Sequence, residues 1–277
     1  HSDGRNMKKK PEGLKGSLTS YGDAGFSYFL RKSFAKSLGY GDDELERPVV
    51  GVANTASGMV SCHGTVPQLV EAVKRGVIAA GGLPLEFPTI ALGEPFLNPT
   101  SMLFRNLMAI DTEEMIRAHP VDAVVLIGGC DKTVPAQLMA AASANLPAIL
   151  LVTGPMMTGS HRGTRLGACT DCRRLWGEHR GGRLDAAEID EISGSLMPTS
   201  GTCMVMGTAS TMACVTEALG MMLPGGAAIP AVHSDRLRNA SESGACAVRM
   251  LESGGPLPSE IITPASLTNA FRVLLAI

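Results

Sequence analysis

Short apolar runs that alternate with helical patterns constrain the fold of this chain more than any other feature. Four runs read as strands: residues 48–54 (PVVGVAN), 87–92 (FPTIAL), 122–129 (DAVVLIGG) and 148–154 (AILLVTG). Apolar residues at helical spacing lie between them, over 65–82, about 100–118 and 133–146. Strands that are apolar on both faces and separated by helices are typical of parallel βαβ units. The sequence therefore predicts an α/β fold in three layers, with helices on both faces of a parallel sheet.

The remaining segments read as helices and one long loop. Further helices are predicted over residues 24–39, 185–196, 207–222, 234–253 and 266–277. Residues 155–184 are rich in Gly and Arg and predict a long loop, and loops of that length in compact domains are usually functional. The last helix stops on an apolar stretch without a cap or a polar tail, so we expect the chain to continue in the full protein.

Charge and composition exclude several classes of function. The formal net charge is −2 and only 4% of residues are aromatic, which argues against a nucleic-acid partner. No apolar run reaches the roughly 18 residues that a membrane span requires. The N-terminus has no apolar signal core, so we expect a cytoplasmic protein. Seven cysteines at scattered spacings do not resemble a disulfide framework.

Polar and sulfur-bearing residues follow the predicted strands at the points where they end. Ligands of open parallel sheets bind beyond the carboxyl ends of the strands. Six such residues follow the first three strands: Cys62, His63, Glu94, Cys130, Asp131 and Lys132. A seventh, Cys203, lies in a small-residue loop before a later helix. One edge of the sheet could therefore gather three thiols, two carboxylates and a lysine.

These residue types suit two kinds of metal. Three thiolates with an open fourth position suit an iron–sulfur cluster that can take substrate, and they could also hold zinc. Glu94 and Asp131 are hard oxygen donors, which suit Mg²⁺. Such a pair of sites could bind the carboxylate and hydroxyl of one substrate and help hydroxide to leave.

Each of these residues also has an ordinary structural interpretation. A lone Cys in an apolar α/β chain is usually a core residue, and we assign Cys214 and Cys246 to the core. Lys132 beside Asp131 could be a surface ion pair of little energetic value. His63 either supports a ligand or only packs or caps.

Cys169 and Cys172 form a CxxC pair, which is weak as a zinc site without two further ligands. A redox CxxC normally opens a helix after a strand, whereas this pair falls within the predicted loop. The glycine-rich loops match neither a dinucleotide-binding nor a P-loop motif.

Five sequence blocks resemble one enzyme family. They are ANTASGMVSCHG, GEPFLNPTSMLFRNLMAIDTEEMI, PVDAVVLIGGCDKTVPAQLMAAASANLPAI, GTCMVMGTASTMA and IPAVHSDRLR. Together they resemble the dihydroxy-acid dehydratase and phosphogluconate dehydratase family, from about residue 15 to the end. The resemblance implies a hydro-lyase that converts a 2,3-dihydroxy carboxylic acid to a 2-keto acid.

The resemblance also implies cofactors and roles for the residues that match by position. Cys62, Cys130 and Cys203 match ligands of a [2Fe-2S] cluster, which is [4Fe-4S] in other members. Glu94 and Asp131 match Mg²⁺ ligands. Lys132 matches a lysine that is carbamylated in some members and then becomes a further oxygen ligand.

The resemblance implies a second, β-barrel-like domain that carries the catalytic base. We therefore expect residues 1–14 to be a tag or flexible N-terminus and residues 15–277 to be the N-terminal cluster- and Mg-binding domain, cut before the second domain. This fragment alone is expected to be inactive. The family also implies a homodimer or homotetramer.

The substrate is predicted from two blocks. GEPFLNPTSMLFRNLMAIDTEEM and TGPMMTGSHRG look more like the sugar-acid (aldonate) branch than the branched-chain amino-acid branch. One alternative is the dihydroxy-acid dehydratase that converts 2,3-dihydroxyisovalerate to 2-ketoisovalerate. A more distant alternative is a non-catalytic domain that binds a small ligand or zinc through Cys169 and Cys172.

Overall fold

A four-stranded parallel sheet organises the chain. The computed structural model describes residues 10–18, 21–252 and 254–277, with the side chain of Cys169 excepted. The strands of the main sheet are β1 (Val49–Asn54), β2 (Leu83–Pro88), β3 (Ala123–Gly128) and β4 (Ala148–Val152). They are ordered β2-β1-β3-β4, and every pairing is parallel. A separate antiparallel hairpin consists of β5 (Gly159–His161) and β6 (Thr164–Leu166).

Helices connect and cover these strands. They are α1 (Ala24–Ser37), α2 (Asp42–Leu45), α3 (Val66–Ala79), α4 (Arg105–Ala118), α5 (Thr133–Ala144), α6 (Ala168–Arg180), α7 (Ala186–Leu196), α8 (Thr208–Leu219), α9 (Ser234–Glu252), α10 (Pro258–Ile261) and α11 (Pro264–Ala276). Short 3-10 turns occur at Gly13–Lys15, Ser61–His63 and Ser101–Phe104. None of the helices in the described part of the chain combines the length and apolar character needed to cross a membrane.

Two apolar cores lie on opposite faces of the main sheet. Successive strand residues point to opposite faces, so Val125 packs with α3 and α9 while its neighbour Leu126 packs with α5 and α8. Because both faces are covered, β3 is buried along its whole length. The predicted three-layer α/β architecture is confirmed.

The second strand lies earlier in the chain than predicted. The apolar run at 87–92 predicted a strand there, whereas β2 covers Leu83–Pro88 with prolines at both positions 84 and 88. Proline cannot donate to a ladder and is confined to edge strands, and β2 is an edge strand of this sheet. Its Glu86 carboxylate, turned to the surface, accepts from Asn54 and pairs with Lys74.

The predicted long loop over 155–184 is wrong in most of its length. The segment forms the β5–β6 hairpin and then the 13-residue helix α6. The Asp171 carboxylate accepts the Gly167 N–H at 2.7 Å and pairs with Arg174 at 2.8 Å, which stabilises the first turn. Leu166 and Leu175 pack with residues of α7 in a small core of their own. Cys169 and Cys172 therefore lie in the first turns of a helix that follows a strand.

The N-terminal part of the chain differs from its prediction in one respect. Residues 1–9 of the predicted flexible segment lie outside the described residues. From Glu12 onward the chain is tied to the sheet, since the Asp122 carboxylate accepts the N–H groups of Glu12, Gly13 and Val49.

Helix α1 forms as predicted, but its apolar stripe is exposed, with Phe29 at 62% and Phe34 at 71%.

Two glycines let α3 and α9 cross closely. A Cβ added at Gly76 would collide with the backbone carbonyl of Ser241, and one at Gly244 would collide with that of Val73. Both obstacles are backbone atoms, which cannot rotate away as a side chain can. The absence of a Cβ at these two positions therefore allows α3 and α9 to pack this closely.

We expect Gly76→Ala to destabilise the fold by roughly 1–3 kcal/mol or more, because the added methyl forces the two helices apart. Gly177→Ala in α6 is the matched control: a Cβ there meets no atom within 4 Å, and alanine should stabilise the helix by up to about 1 kcal/mol. Urea unfolding of both variants measures the difference. Equal stability of the two variants would contradict the close crossing.

Candidate functional site

Two cysteines lie beyond the carboxyl ends of neighbouring strands. Cys62 sits in the 3-10 turn Ser61–His63 that follows β1, and Cys130 follows β3 two residues after its end. Since β1 pairs with β3 along the middle of the sheet, the two segments leave the sheet side by side. Cys130 is 5% exposed, and Cys62 is half-buried.

His63 joins these two segments. Its imidazole is 1% exposed, and its Nδ1 lies 2.9 Å from the carbonyl oxygen of Thr55. Its Nε2 accepts the N–H of Gly129 at 3.0 Å and the N–H of Cys130 at 3.3 Å. Burial lowers the pKa of His63 to about 4, although the Thr55 carbonyl acts in the opposite direction. The imidazole is therefore neutral, with its proton on Nδ1.

A third cysteine reaches the same edge on a different segment. The Thr202 N–H donates to the Gly154 carbonyl just beyond β4, and the Thr202 carbonyl accepts the Met156 N–H, both at 2.9 Å. The Gly201 N–H donates to the Ser61 carbonyl at 3.3 Å. These bonds tie the residues before Cys203 to the turn that carries Cys62. Gly201 has a φ of +131°, a backbone conformation that residues with a side chain rarely adopt.

The three thiols influence one another electrostatically. A hydrogen bond between the sulfurs of Cys62 and Cys130 raises the pKa of Cys62 and lowers that of Cys130. Burial and the nearby charges of Cys130, Cys203 and Asp131 raise the pKa of Cys62 further. The backbone N–H of Glu94 also lowers the pKa of Cys130 by a hydrogen bond to its sulfur. The structure thus brings Cys62 and Cys130 into direct contact, with Cys130 as the preferred thiolate, and Cys203 is near enough to act on Cys62 electrostatically.

Oxygen donors and an amine border the thiols. Asp131 Oδ2 pairs with Lys132 Nζ at 2.7 Å, and Asp131 Oδ1 lies 3.6 Å from Cys130 Sγ. Glu94 presents its backbone to Cys130, while its carboxylate accepts from Thr100 Oγ1 at 3.3 Å, from the Ser101 N–H at 3.2 Å and from the Ser101 hydroxyl. The Asp131 carboxylate therefore borders Cys130, whereas Glu94 reaches that thiol through its backbone and turns its carboxylate to Thr100 and Ser101.

Thiols are donors that suit an iron–sulfur cluster, and carboxylates are donors that suit Mg²⁺. Over the residues the structure describes, no three His, Cys, Asp or Glu side chains are grouped closely enough to hold one metal ion. A cluster distributes its thiolates over more than one iron, so its ligands need not surround one point. The zinc hypothesis for Cys169 and Cys172 depends on a side chain outside the described residues.

The sequence interpretation placed the thiols but missed what positions them. His63 was left open between support and packing, and the structure gives it three hydrogen-bond partners on two segments. The contact between the Glu94 backbone and Cys130 was not predicted, because sequence spacing does not reveal main-chain direction. Cys214 and Cys246 pack against the two apolar cores, which confirms their structural assignment.

Comparison with known proteins agrees with these observations. Residues 47–277 match the family model described as dihydroxy-acid/6-phosphogluconate dehydratase N-terminal. The chain is 43% identical over 275 residues to L-arabinonate dehydratase of Rhizobium leguminosarum bv. trifolii, covering 98% of this chain and 47% of that protein. It is 40% identical over 249 residues to 6-deoxy-6-sulfo-D-gluconate dehydratase of Pseudomonas putida, covering 90% and 43%.

A third relative, dihydroxy-acid dehydratase of Methanospirillum hungatei, is 41% identical over 260 residues, covering 92% of this chain and 47% of that protein. The chain thus spans a little under half the length of the curated relatives it matches. The family model covers most of the chain and includes the segments that carry all three thiols. The chain therefore belongs to the dihydroxy-acid/6-phosphogluconate dehydratase family and represents its N-terminal domain.

Proposed function

We propose that this chain is the metal-binding half of a hydro-lyase that dehydrates a 2,3-dihydroxy carboxylic acid to a 2-keto-3-deoxy acid. The substrate is a sugar acid such as an aldonate, and the cofactors are an iron–sulfur cluster, [2Fe-2S] or [4Fe-4S], and Mg²⁺. One observation supports the proposal: the thiols of Cys62 and Cys130, on the turns after two neighbouring parallel strands, share a hydrogen bond beside the Asp131 carboxylate, and the segment before Cys203 is bonded to the Cys62 turn.

Each donor has a distinct role in this proposal. Cys62, Cys130 and Cys203 would hold the cluster, and Glu94 and Asp131 would hold Mg²⁺. When bound, the two groups would supply Lewis acids for the leaving hydroxyl and for the substrate's carboxylate and second hydroxyl. With three thiolates supplied by the protein, a cluster held here would keep a position for a substrate oxygen.

Lys132 takes one of two roles, depending on its chemical state. As an ammonium, its Nζ neutralises Asp131 at 2.7 Å and competes with a cation for that carboxylate. As a carbamate, the same side chain would present oxygen atoms and become a third hard ligand. Both side chains of this ion pair are mostly buried, at 14% and 20% exposure, so the exchange would alter the charge of a sheltered site.

The sugar-acid substrate is favoured by sequence rather than by geometry. The blocks at 93–115 and 153–163 support the aldonate branch, and two relatives named above act on sugar acids by their names. A dihydroxy-acid dehydratase is almost equally similar, so 2,3-dihydroxyisovalerate remains the second candidate substrate. We also propose that the protein is cytoplasmic and forms a homodimer or homotetramer. The exposed apolar stripe of α1 supports the self-association.

Cys130→Ser in the full-length protein should remove most of the iron and the visible absorbance after anaerobic purification, because a serine oxygen is a poor replacement for a soft thiolate ligand. Activity should fall about 100-fold or more, since a lost Lewis acid costs several kcal/mol in the transition state. Cys246→Ser, in the core at α9, is the matched control and should keep both. A full cluster in Cys130→Ser would refute the ligand assignment.

Asp131→Asn should separate the two metals. We expect the variant to keep its visible absorbance but to need about tenfold or more Mg²⁺ for half-maximal activity, because ligand charge sets the affinity of oxygen-ligand cation sites over several orders of magnitude. The measurement is a Mg²⁺ titration of activity after chelation. Asp190→Asn, exposed on α7, should titrate like the wild type. An unchanged Mg²⁺ requirement in Asp131→Asn would contradict the magnesium assignment.

A substrate panel distinguishes the two candidate substrates. Keto-acid release from arabinonate, xylonate and related aldonates should exceed release from 2,3-dihydroxyisovalerate by about tenfold or more in kcat/KM, as expected when a site's buried polar groups match extra substrate hydroxyls. Preference for dihydroxyisovalerate would instead assign the protein to branched-chain amino-acid synthesis.

A further inference from the structure

A single buried side chain spans the gap between two of the proposed cluster ligands. His63 directly follows Cys62 in the chain, and its Nε2 accepts the backbone N–H of Cys130 at 3.3 Å. The same nitrogen accepts the N–H of Gly129 at 3.0 Å. One imidazole therefore connects the turn after β1 with the turn after β3 at the residues that carry the sulfurs.

The partners of His63 fix both its tautomer and its orientation. A carbonyl oxygen can only accept, so the proton must lie on Nδ1, where it is donated to Thr55. A backbone N–H can only donate, so Nε2 must present its lone pair to Gly129 and Cys130. The ring is thus held from both ends, and it cannot bind a metal through Nε2 without releasing the Cys130 turn.

Close packing restricts the conformation of the turn that carries Cys130. A Cβ at Gly129 would collide with the side chain of Thr153, and one at Gly128 would collide with Thr133 and Gln137. The turn is therefore enclosed by side chains below the sheet edge. If the imidazole were absent, two buried N–H donors would lose their acceptor, and the turn would have to move or take in water to satisfy them.

We propose that His63 is a positioning residue that holds the sulfurs of Cys62 and Cys130 at the separation a cluster requires, without itself binding iron. This inference rests on the proposed function, because it assumes that the two thiols are cluster ligands. Groups that orient metal ligands by hydrogen bonds affect affinity and electronic properties although they do not touch the metal. His63 acts through the backbone of one ligand and through its chain connection to the other.

Two amide substitutions separate the acceptor role of His63 Nε2 from the donor role of its Nδ1. In His63→Gln, the side-chain oxygen can occupy the place of Nε2 and still accept from Gly129 and Cys130. In His63→Asn, the shorter amide can still donate to Thr55 but cannot reach the Cys130 turn. Both substituted side chains are uncharged. The two variants therefore differ in whether they offer an acceptor to the N–H groups of Gly129 and Cys130, and not in charge.

The experiment compares the full-length wild-type protein, both variants and Val248→Ala, a core truncation in α9, after anaerobic purification. We expect His63→Asn to release cluster iron to a chelator about tenfold or more faster than wild type. We also expect its reduced cluster to have altered EPR g values. His63→Gln should resemble wild type in both readouts, and Val248→Ala should do so even if urea unfolding shows that it is less stable.

The outcomes distinguish this inference from the proposal on which it rests. If wild type holds a cluster and His63→Asn matches it in iron release and in g values, the positioning role is refuted while the proposed function stands. If Val248→Ala loses iron as fast as His63→Asn with unchanged g values in both, the effect of His63 is only on stability and the inference also fails. If wild type contains neither iron nor acid-labile sulfide, both fail together.

Discussion

The parallel pairing of β1 with β3 is the interaction on which the rest of this structure depends. The two strands run side by side from Val50 opposite Ala123 to Ala53 opposite Leu126, and both are covered by helices on both faces. Polar chemistry cannot be placed inside such a layer without large desolvation costs. It is therefore confined to the segments beyond the strand ends, where Cys62 and Cys130 emerge as neighbours.

Further contacts turn this proximity into a defined site. The Ser61 carbonyl holds the segment before Cys203, while His63 holds the Gly129–Cys130 turn, so one short 3-10 turn is bonded to both of the other thiol-bearing segments. The Glu94 backbone contacts Cys130 from the edge-strand side. In the proposed function, these bonds prearrange three soft ligands beside two hard ones, which reduces the reorganisation needed to bind metal and substrate.

The sequence predicted the layers and the segments that carry the thiols to one edge of the sheet, and its errors have physical causes. Buried central strands are recognisable because they are apolar on both faces, whereas the edge strand β2 contains two prolines and a surface Glu86 and so escaped the pattern. Helix α6 was missed because its sequence is rich in charged and small residues and shows little apolar periodicity, although Leu175 packs in a small core with α7. The role of His63 could not be derived, because hydrogen bonds between distant turns leave no periodic signal. The only indication of this role in the sequence was that His63 directly follows Cys62 after a buried strand.

The central claim is that sulfurs at positions 62, 130 and 203 bind one inorganic centre at the carboxyl edge of the sheet. Diffraction from crystals of the full-length protein, grown without oxygen and measured on both sides of the iron absorption edge, tests it most directly. The account predicts one iron-specific anomalous feature, bonded to all three sulfurs and to no nitrogen of His63. Iron located elsewhere, or three sulfurs without a common centre in protein that contains iron, would contradict the account.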